Sequence, residues 1–184
     1  RIDRRFAALK EQRRAALVTF VTAGDPDYET SLKILAGLPR AGADVIELGI
    51  PFSDPVMDGP IIQQASQAAL ESGATPVSIL HDARSLDVSI PLAVMTYYNT
   101  VHHAGHARFA AQLADAGIVA AIVPDLPLEE AGPWCEAADA AGIETVMLAA
   151  PTAPDERLPR VVARARGFVY SVGLLGVTGE RDVL

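Results

Sequence analysis

AGADVIELGIPFSDPVMDGP, residues 41–60, opens on an Ala-Gly pair, runs through an apolar segment and ends in a proline-rich turn that also carries acids. Its first eight residues return twice, as AGIVAAIV (116–123) and AGIETVML (141–148). Each copy follows a helical-looking segment: DYETSLKILAGLPRAG (27–42), GHARFAAQLADAG (105–117) and EEAGPWCEAADAAG (129–142). We read the repeat as a helix closing on Gly42, Gly117 or Gly142 and then a strand, because glycine accepts the left-handed conformation that ends a helix. The last two glycines lie about 25 residues apart and the first two about 75, room for three such units. That rhythm predicts consecutive βα units in a parallel sheet, as a (β/α) barrel or as a doubly wound open sheet.

Six strands are predicted, near Ala16–Val21, Val45–Gly49, Leu92–Thr96, Ala120–Val123, Thr145–Ala149 and Phe168–Val172. Most are nearly pure apolar runs, as strands covered by helices should be. The second and third begin about 47 residues apart, nearly twice the usual interval, and the excess lies in and after the opening stretch. Long connections in compact domains are often functional, and parallel α/β folds place chemistry beyond the carboxyl ends of strands. Glu47 stands at such an end, and Asp58 lies in the loop that follows.

Alternation along the strand puts Val45, Glu47 and Gly49 on one face, with Ile46 and Leu48 on the other. A carboxyl inside a barrel is either paired with a cation or held for proton transfer, since burying its charge alone costs several kcal/mol, roughly, even after relaxation. No lysine or arginine occurs between Arg40 and Arg84, which leaves a salt bridge to a distant basic residue as the alternative to proton transfer. Asp58-Gly59 and Asp54-Pro55 also read as ordinary turn pairs whose carboxylates bond nearby amides.

The 184 residues, half hydrophobic and 21% charged with a net charge of -8, suit a single domain over 1–184 without a basic face for nucleic acid. Cys135 is the only cysteine, so neither an intrachain disulfide nor a thiolate-rich metal cluster can form, and a reducing cytoplasm is expected. The first sixteen residues read as an amphipathic helix with Ile2, Phe6 and Leu9 on one face, rather than as a transit peptide, secretory signal or membrane span. His102, His103 and His106 are expected to begin a solvated helix. They make no metal site, because adjacent histidines point apart and no carboxylate or cysteine completes a set. Trp134 and Cys135 read as packing residues. Gly173, Gly176 and Gly179 in GLLGVTGE lack dinucleotide-binding spacing and read as a flexible turn, a mobile lid or a set of amides for an anion.

Five segments carry a resemblance: FVTAGDPD (20–27), ELGIPFSDPVMDGPIIQ (47–63), YYN (97–99), VPDLPLEE (123–130) and GVTG (176–179). Together, and in this order, they resemble the tryptophan synthase alpha chain family. The resemblance implies a (β/α)8 TIM barrel that cleaves indole-3-glycerol phosphate to indole and glyceraldehyde 3-phosphate. The acid matching Glu47 would protonate the indole ring at C3. The acid matching Asp58 would accept the indole N–H, and Tyr170 would lie near Glu47. Phe20, Ile62, Met95, Tyr97 and Ile122 would line the indole slot, Gly179 would give its amide to the phosphate, and Thr178 would meet Asp58 on loop closure. Pro51, Phe52, Asp54, Pro55, Asn99 and Pro127 match the surface that meets a beta chain in an alpha2-beta2 complex. That partner holds pyridoxal phosphate, while this chain would need no cofactor.

The same resemblance gives strands one to six of the barrel and leaves the last two βα units outside this chain, so two sheet edges and part of the interior are expected to be open. A free-standing indole-releasing lyase and a non-catalytic module that docks on a beta chain are the competing readings. The Pro51–Pro60 and GVTG loops are expected to order on docking.

Overall fold

The computed structural model describes residues 1–173 of the chain. The elements run α1 (Ile2–Glu11), β1 (Val18–Thr22), α2 (Tyr28–Gly37), β2 (Val45–Gly49), α3 (Pro60–Glu71), α4 (Pro76–Ala83), β3 (Leu92–Met95), α5 (Tyr98–Ala104), α6 (His106–Asp115), β4 (Ala120–Ile122), α7 (Gly132–Ala141), β5 (Glu144–Ala149), α8 (Arg157–Arg164) and β6 (Val169–Ser171). The strands form one sheet in the order β1-β2-β3-β4-β5-β6, every pair parallel. This is the wall of a TIM barrel built from consecutive βα units.

Two apolar layers follow from the two-residue period of the strands. On the concave side Val45, Ala93, Ala120, Ile122 and Val146 pack with Ile2 of α1, flanked by Phe6, Val18, Met95, Leu148 and Phe168. On the convex side Ile46, Leu48, Val94, Ala121 and Met147 meet Leu35, Ile79, Phe109, Leu113, Trp134 and Val161 from the helices. Trp134 and Cys135 therefore belong to the core beneath α7.

The concave layer is closed at the amino ends of the strands by α1, and two acids hold that helix. Asp44, immediately before β2, is fully buried and accepts from Arg5 Nη2 at 2.6 Å, from both terminal nitrogens of Arg14 and from the Leu17 amide at 2.8 Å. Arg14 first, then the Leu17 amide and Arg5, outweigh burial and hold the Asp44 carboxyl down at about 2. Glu144, opening β5, accepts from the Ile2 amide at 3.0 Å.

Three expectations are corrected. The interval between Gly42 and Gly117 holds two βα steps rather than three, because the connection from β2 to β3 carries two helices, α3 and α4, and that from β3 to β4 carries α5 and α6. Helix α2 ends at Gly37, with Leu38 as its cap, so Gly42 does not close it; Gly42, at φ +101°, instead shapes the turn that leads into β2. Gly142 does cap α7 in the left-handed conformation. His102 and His103 end α5 rather than begin a helix, and only His106 opens one. Strand ends shift by a residue or two, most at β1, which runs Val18–Thr22.

Removing the Asp44 carboxylate leaves two guanidiniums and an amide without their acceptor. Asp44→Ala is expected to destabilise the fold by on the order of 3 kcal/mol at pH 7 in urea denaturation. The Asp44 contribution is complete above the ordinary carboxyl value of 3.8 and fades as pH falls through about 2, so wild type and variant should converge in acid.

Candidate active site

Register brings the site together at the carboxyl ends of the first three strands: Phe20 on β1 pairs with Glu47 on β2, and Glu47 with Ala93 on β3. Glu47 faces the concave interior, shares a face with Val45 and Gly49, and is 5% exposed. Among the described residues no cation or hydrogen-bond donor reaches its carboxyl within bonding distance. Burial alone pushes that carboxyl up to about 7 from an ordinary 4.5. A group so placed passes readily between acid and base near neutral pH. Tyr170 enters from β6 on the same interior face, two residues beyond Phe168, and is 40% exposed. Its hydroxyl is shifted up by burial first and then by the charge of Glu47, which marks the two as neighbours.

Asp58 hangs from the loop between β2 and α3. It is half-buried, and its Oδ2 accepts from the Tyr97 hydroxyl at 2.9 Å. Burial raises its carboxyl pKa while the Tyr97 hydrogen bond opposes that shift. The same hydroxyl accepts from the Met57 amide at 2.9 Å. Burial first, then Asp58 and Asp125, push the Tyr97 phenol upward against the lowering by Met57.

A narrow recess opens beside Asp58 and Tyr97, lined by these two with Phe20, Ile62 and Met95 and by Thr22, Gly49, Ile50, Ser66 and Thr96; Glu47 and Tyr170 are not on its wall. Four apolar or aromatic walls and one carboxylate suit a flat apolar ligand with a single polar hydrogen. Gly49 is required there, because a Cβ at that position would lie 2.5 Å from Cζ of Phe20. Ile122 lies beside Met95 in the next strand, buried in the interior layer rather than on the recess wall. Thr178 and Gly179 lie outside the described residues, as does the GVTG loop.

The sequence did not single out Gly49 as the seat for Phe20, nor Thr22, Ser66 and Thr96 as lining groups. The Thr96 hydroxyl is buried without a hydrogen-bond partner among the described residues. The pairing of Phe20 with β2 was a usable signal for Gly49; the threonines offered none.

Of the residues matched to a partner surface, Asp54, Asn99 and Pro127 are exposed, Phe52 and Pro55 half-buried and Pro51 buried. Pro51, Phe52 and Asn99 edge a groove that continues over Pro76, Leu80 and Phe109, whereas Pro127 is not part of it. His106 Nε2 lies 2.9 Å from the Tyr98 hydroxyl and stacks on that ring, and among the described residues no cluster suited to a metal ion is found. No helix among the described residues is long and apolar enough to cross a membrane.

Residues 6–184 match the family model described as tryptophan synthase alpha chain. The tryptophan synthase alpha chain of Caulobacter sp. (strain K31) is 52% identical over 185 residues, covering 99% of this chain and 67% of the relative. That of Caulobacter vibrioides (strain NA1000 / CB15N) matches to the same extent. Among solved structures, Mycobacterium tuberculosis tryptophan synthase superposes with a TM-score of 0.93 at 38% identity, over 99% of this chain and 71% of that one. The alpha subunit from Legionella pneumophila str. Paris gives 0.89 at 36%, over 93% and 66%.

A parallel βα wall carrying a buried acid at a strand's carboxyl end, with a second acid in the loop beyond, defines a (β/α)-barrel enzyme. The likeness extends over nearly every residue of the chain. It belongs to the tryptophan synthase alpha chain family, and so to the lyases of tryptophan synthesis.

Two outcomes follow from the geometry. Because the folded protein keeps the Glu47 proton to about 7 and the unfolded chain only to about 4.5, stability should fall as pH rises across that window, by about 3 kcal/mol. Glu47→Gln should lack that part of the slope in denaturation curves measured from pH 4 to pH 8. Gly49→Ala should press the Phe20 ring out of its seat, a repacking strain of about 1–3 kcal/mol read as a loss of stability in urea denaturation.

Proposed function

We propose that the full-length protein cleaves indole-3-glycerol phosphate by a retro-aldol reaction to indole and glyceraldehyde 3-phosphate. It would act as the alpha subunit of a cytoplasmic alpha2-beta2 complex, with the whole of 1–184 in one barrel domain. The observation that carries this reading is Glu47: a buried carboxyl, shifted up to about 7 by burial alone, facing the interior from the middle of β2 and paired in register with Phe20 of the recess wall.

Carbon protonation needs a positioned donor with a pKa near the working pH, and Glu47 has both the position and the tuning. Protonation at C3 places positive charge on the ring nitrogen. A carboxylate that accepts the N–H stabilises that charge, and Asp58, on the wall of the recess, is the group for it. The bond from C3 to the glycerol side chain then breaks. Its electron pair restores the indole, and the side-chain hydroxyl gives up its proton and becomes the aldehyde. Glu47, ionised after the first step, takes that proton, with Tyr170 beside it.

Phe20, Ile62, Met95 and Tyr97 enclose the ring, with Ile122 packed beside Met95, while Gly179 would donate its amide to the phosphate and Thr178 would meet Asp58 on closure. The chain itself uses no cofactor. The beta chain, which holds pyridoxal phosphate and consumes the indole, docks over Pro51, Phe52, Asp54, Pro55, Asn99 and Pro127. A solved structure that superposes closely is itself a tryptophan synthase, which supports this partner over the free-standing lyase or the non-catalytic docking module.

Indole release by the full-length protein, with and without beta chain, tests the reading. Glu47→Gln keeps the shape but cannot deliver a proton to carbon, so turnover should fall at least about 10²-fold with substrate binding nearly intact. Asp58→Asn should also turn over slowly while still binding substrate. Normal turnover in Glu47→Gln would return Glu47 to a structural role.

A further inference from the structure

The loop that carries Asp58 is open to solvent, with Val56 and Met57 75% and 52% exposed. Its own hydrogen bonds are local: Val56 N–H to the Asp54 carbonyl, Asp58 N–H to the Pro55 carbonyl and the Ser53 hydroxyl to Asp54. Among the described residues, one side chain from another strand's end ties the loop down by hydrogen bonds, and that is Tyr97. Its hydroxyl bridges Met57 and Asp58, each at 2.9 Å, and its ring stacks on Phe52 of the same loop with centroids 5.0 Å apart and planes 18° apart. Tyr97 is itself 5% exposed and fixed between β3 and α5 as the residue that caps α5.

The polarity of this bridge has one solution for an ionised loop acid. A phenol carries one proton, and a backbone N–H can only donate. With its acceptor side taken by Met57, the Tyr97 hydroxyl points its proton at Asp58 Oδ2. From this geometry we infer that Tyr97 is a positioning residue for the reaction: its hydroxyl engages Oδ2 of the Asp58 carboxylate and leaves Oδ1 for the N–H of the bound heteroaromatic ring. The Phe52 stack ties that arrangement to the rest of the loop. The inference rests on the proposed role of Asp58 and deepens it, since a residue that only walled the recess would need no hydroxyl.

The groups that act on this bridge are few. Asp58 and, from the loop after β4, Asp125 act on the Tyr97 hydroxyl, and Tyr97 is the group acting on Asp58 among the described residues. Asp125 is engaged in turn, accepting from the Tyr98 amide at 2.8 Å. A hydrogen bond to the charged form lowers a carboxyl pKa, so losing the Tyr97 hydroxyl should raise that of Asp58.

Tyr97→Phe keeps the ring, the stack and the recess wall and removes one oxygen. In the full-length protein with beta chain, kcat for indole release should fall about 10- to 100-fold, KM should stay within about threefold, and the acid limb of the kcat–pH profile should move to higher pH. Carbon-13 NMR of the Asp58 carboxyl in the substrate-free protein should show the same upward shift. Replacing Tyr97 by 3-fluorotyrosine, whose hydroxyl is a stronger donor, should move the carboxyl the other way, a readout that also serves should the phenylalanine variant fold poorly. Wild-type kcat and an unmoved acid limb in a folded Tyr97→Phe protein would overturn the positioning role. Absence of indole release from the wild type would instead overturn the proposed reaction, and the NMR titration would still decide whether Tyr97 governs Asp58.

Discussion

The alternation of side chains along β2 is the constraint on which the rest depends. All five residues of that strand are buried, so both faces are committed, Val45, Glu47 and Gly49 to the interior and Ile46 and Leu48 to the helices. A slip of one residue would press a carboxyl into the convex apolar layer and turn Leu48 inward. Register with β1 and β3 fixes the same choice from both sides, setting Phe20 and Ala93 beside Glu47. The absent side chain of Gly49 leaves the room that Phe20 uses.

The two ends of the strands treat their acids in opposite ways. At the amino ends Asp44 is surrounded by guanidiniums and an amide and is held down at about 2. At the carboxyl end Glu47 meets none of these and is pushed up to about 7. One environment fastens α1 under the barrel and stabilises the ionised fold. The other costs about 3 kcal/mol when the acid ionises at neutral pH, a local conflict of the kind expected at functional sites. The paired acids at the amino ends hold the scaffold in place while Glu47 remains unpaired at the other end.

Much of this was legible in the sequence, for reasons that differ by residue. Strands buried on both faces are apolar throughout, so all six could be read within a residue or two at most ends, and Glu47 stood out as an acid inside such a run. Gly42 was misread because a glycine at positive φ ends a turn as readily as a helix, and the turn between Gly37 and Gly42 carries no periodicity that separates the two. The doubled helices between β2 and β4 were hidden for a related reason. Two short helices joined at Gly73 or Gly105 occupy the same length as one further βα unit.

Least legible was the contact between Tyr97 and Asp58, which lie 39 residues apart in the chain and meet only because β2 and β3 are adjacent and parallel. Local sequence offered Asp58-Gly59 as a turn pair, and a turn needs nothing from another strand. The structure shows why a turn alone would be a poor home for this carboxylate. A solvent-exposed loop samples many conformations, and a charge that must meet a developing charge on the substrate gains most when it is already in place. Anchoring the loop at Phe52, Met57 and Asp58 to one buried tyrosine lowers that conformational freedom without burying the loop itself. Its outer face, with Asp54 and Val56, thus stays exposed while its inner face lines the recess. A single loop can then hold two faces because the tyrosine that anchors it stands outside it, between the end of β3 and the start of α5.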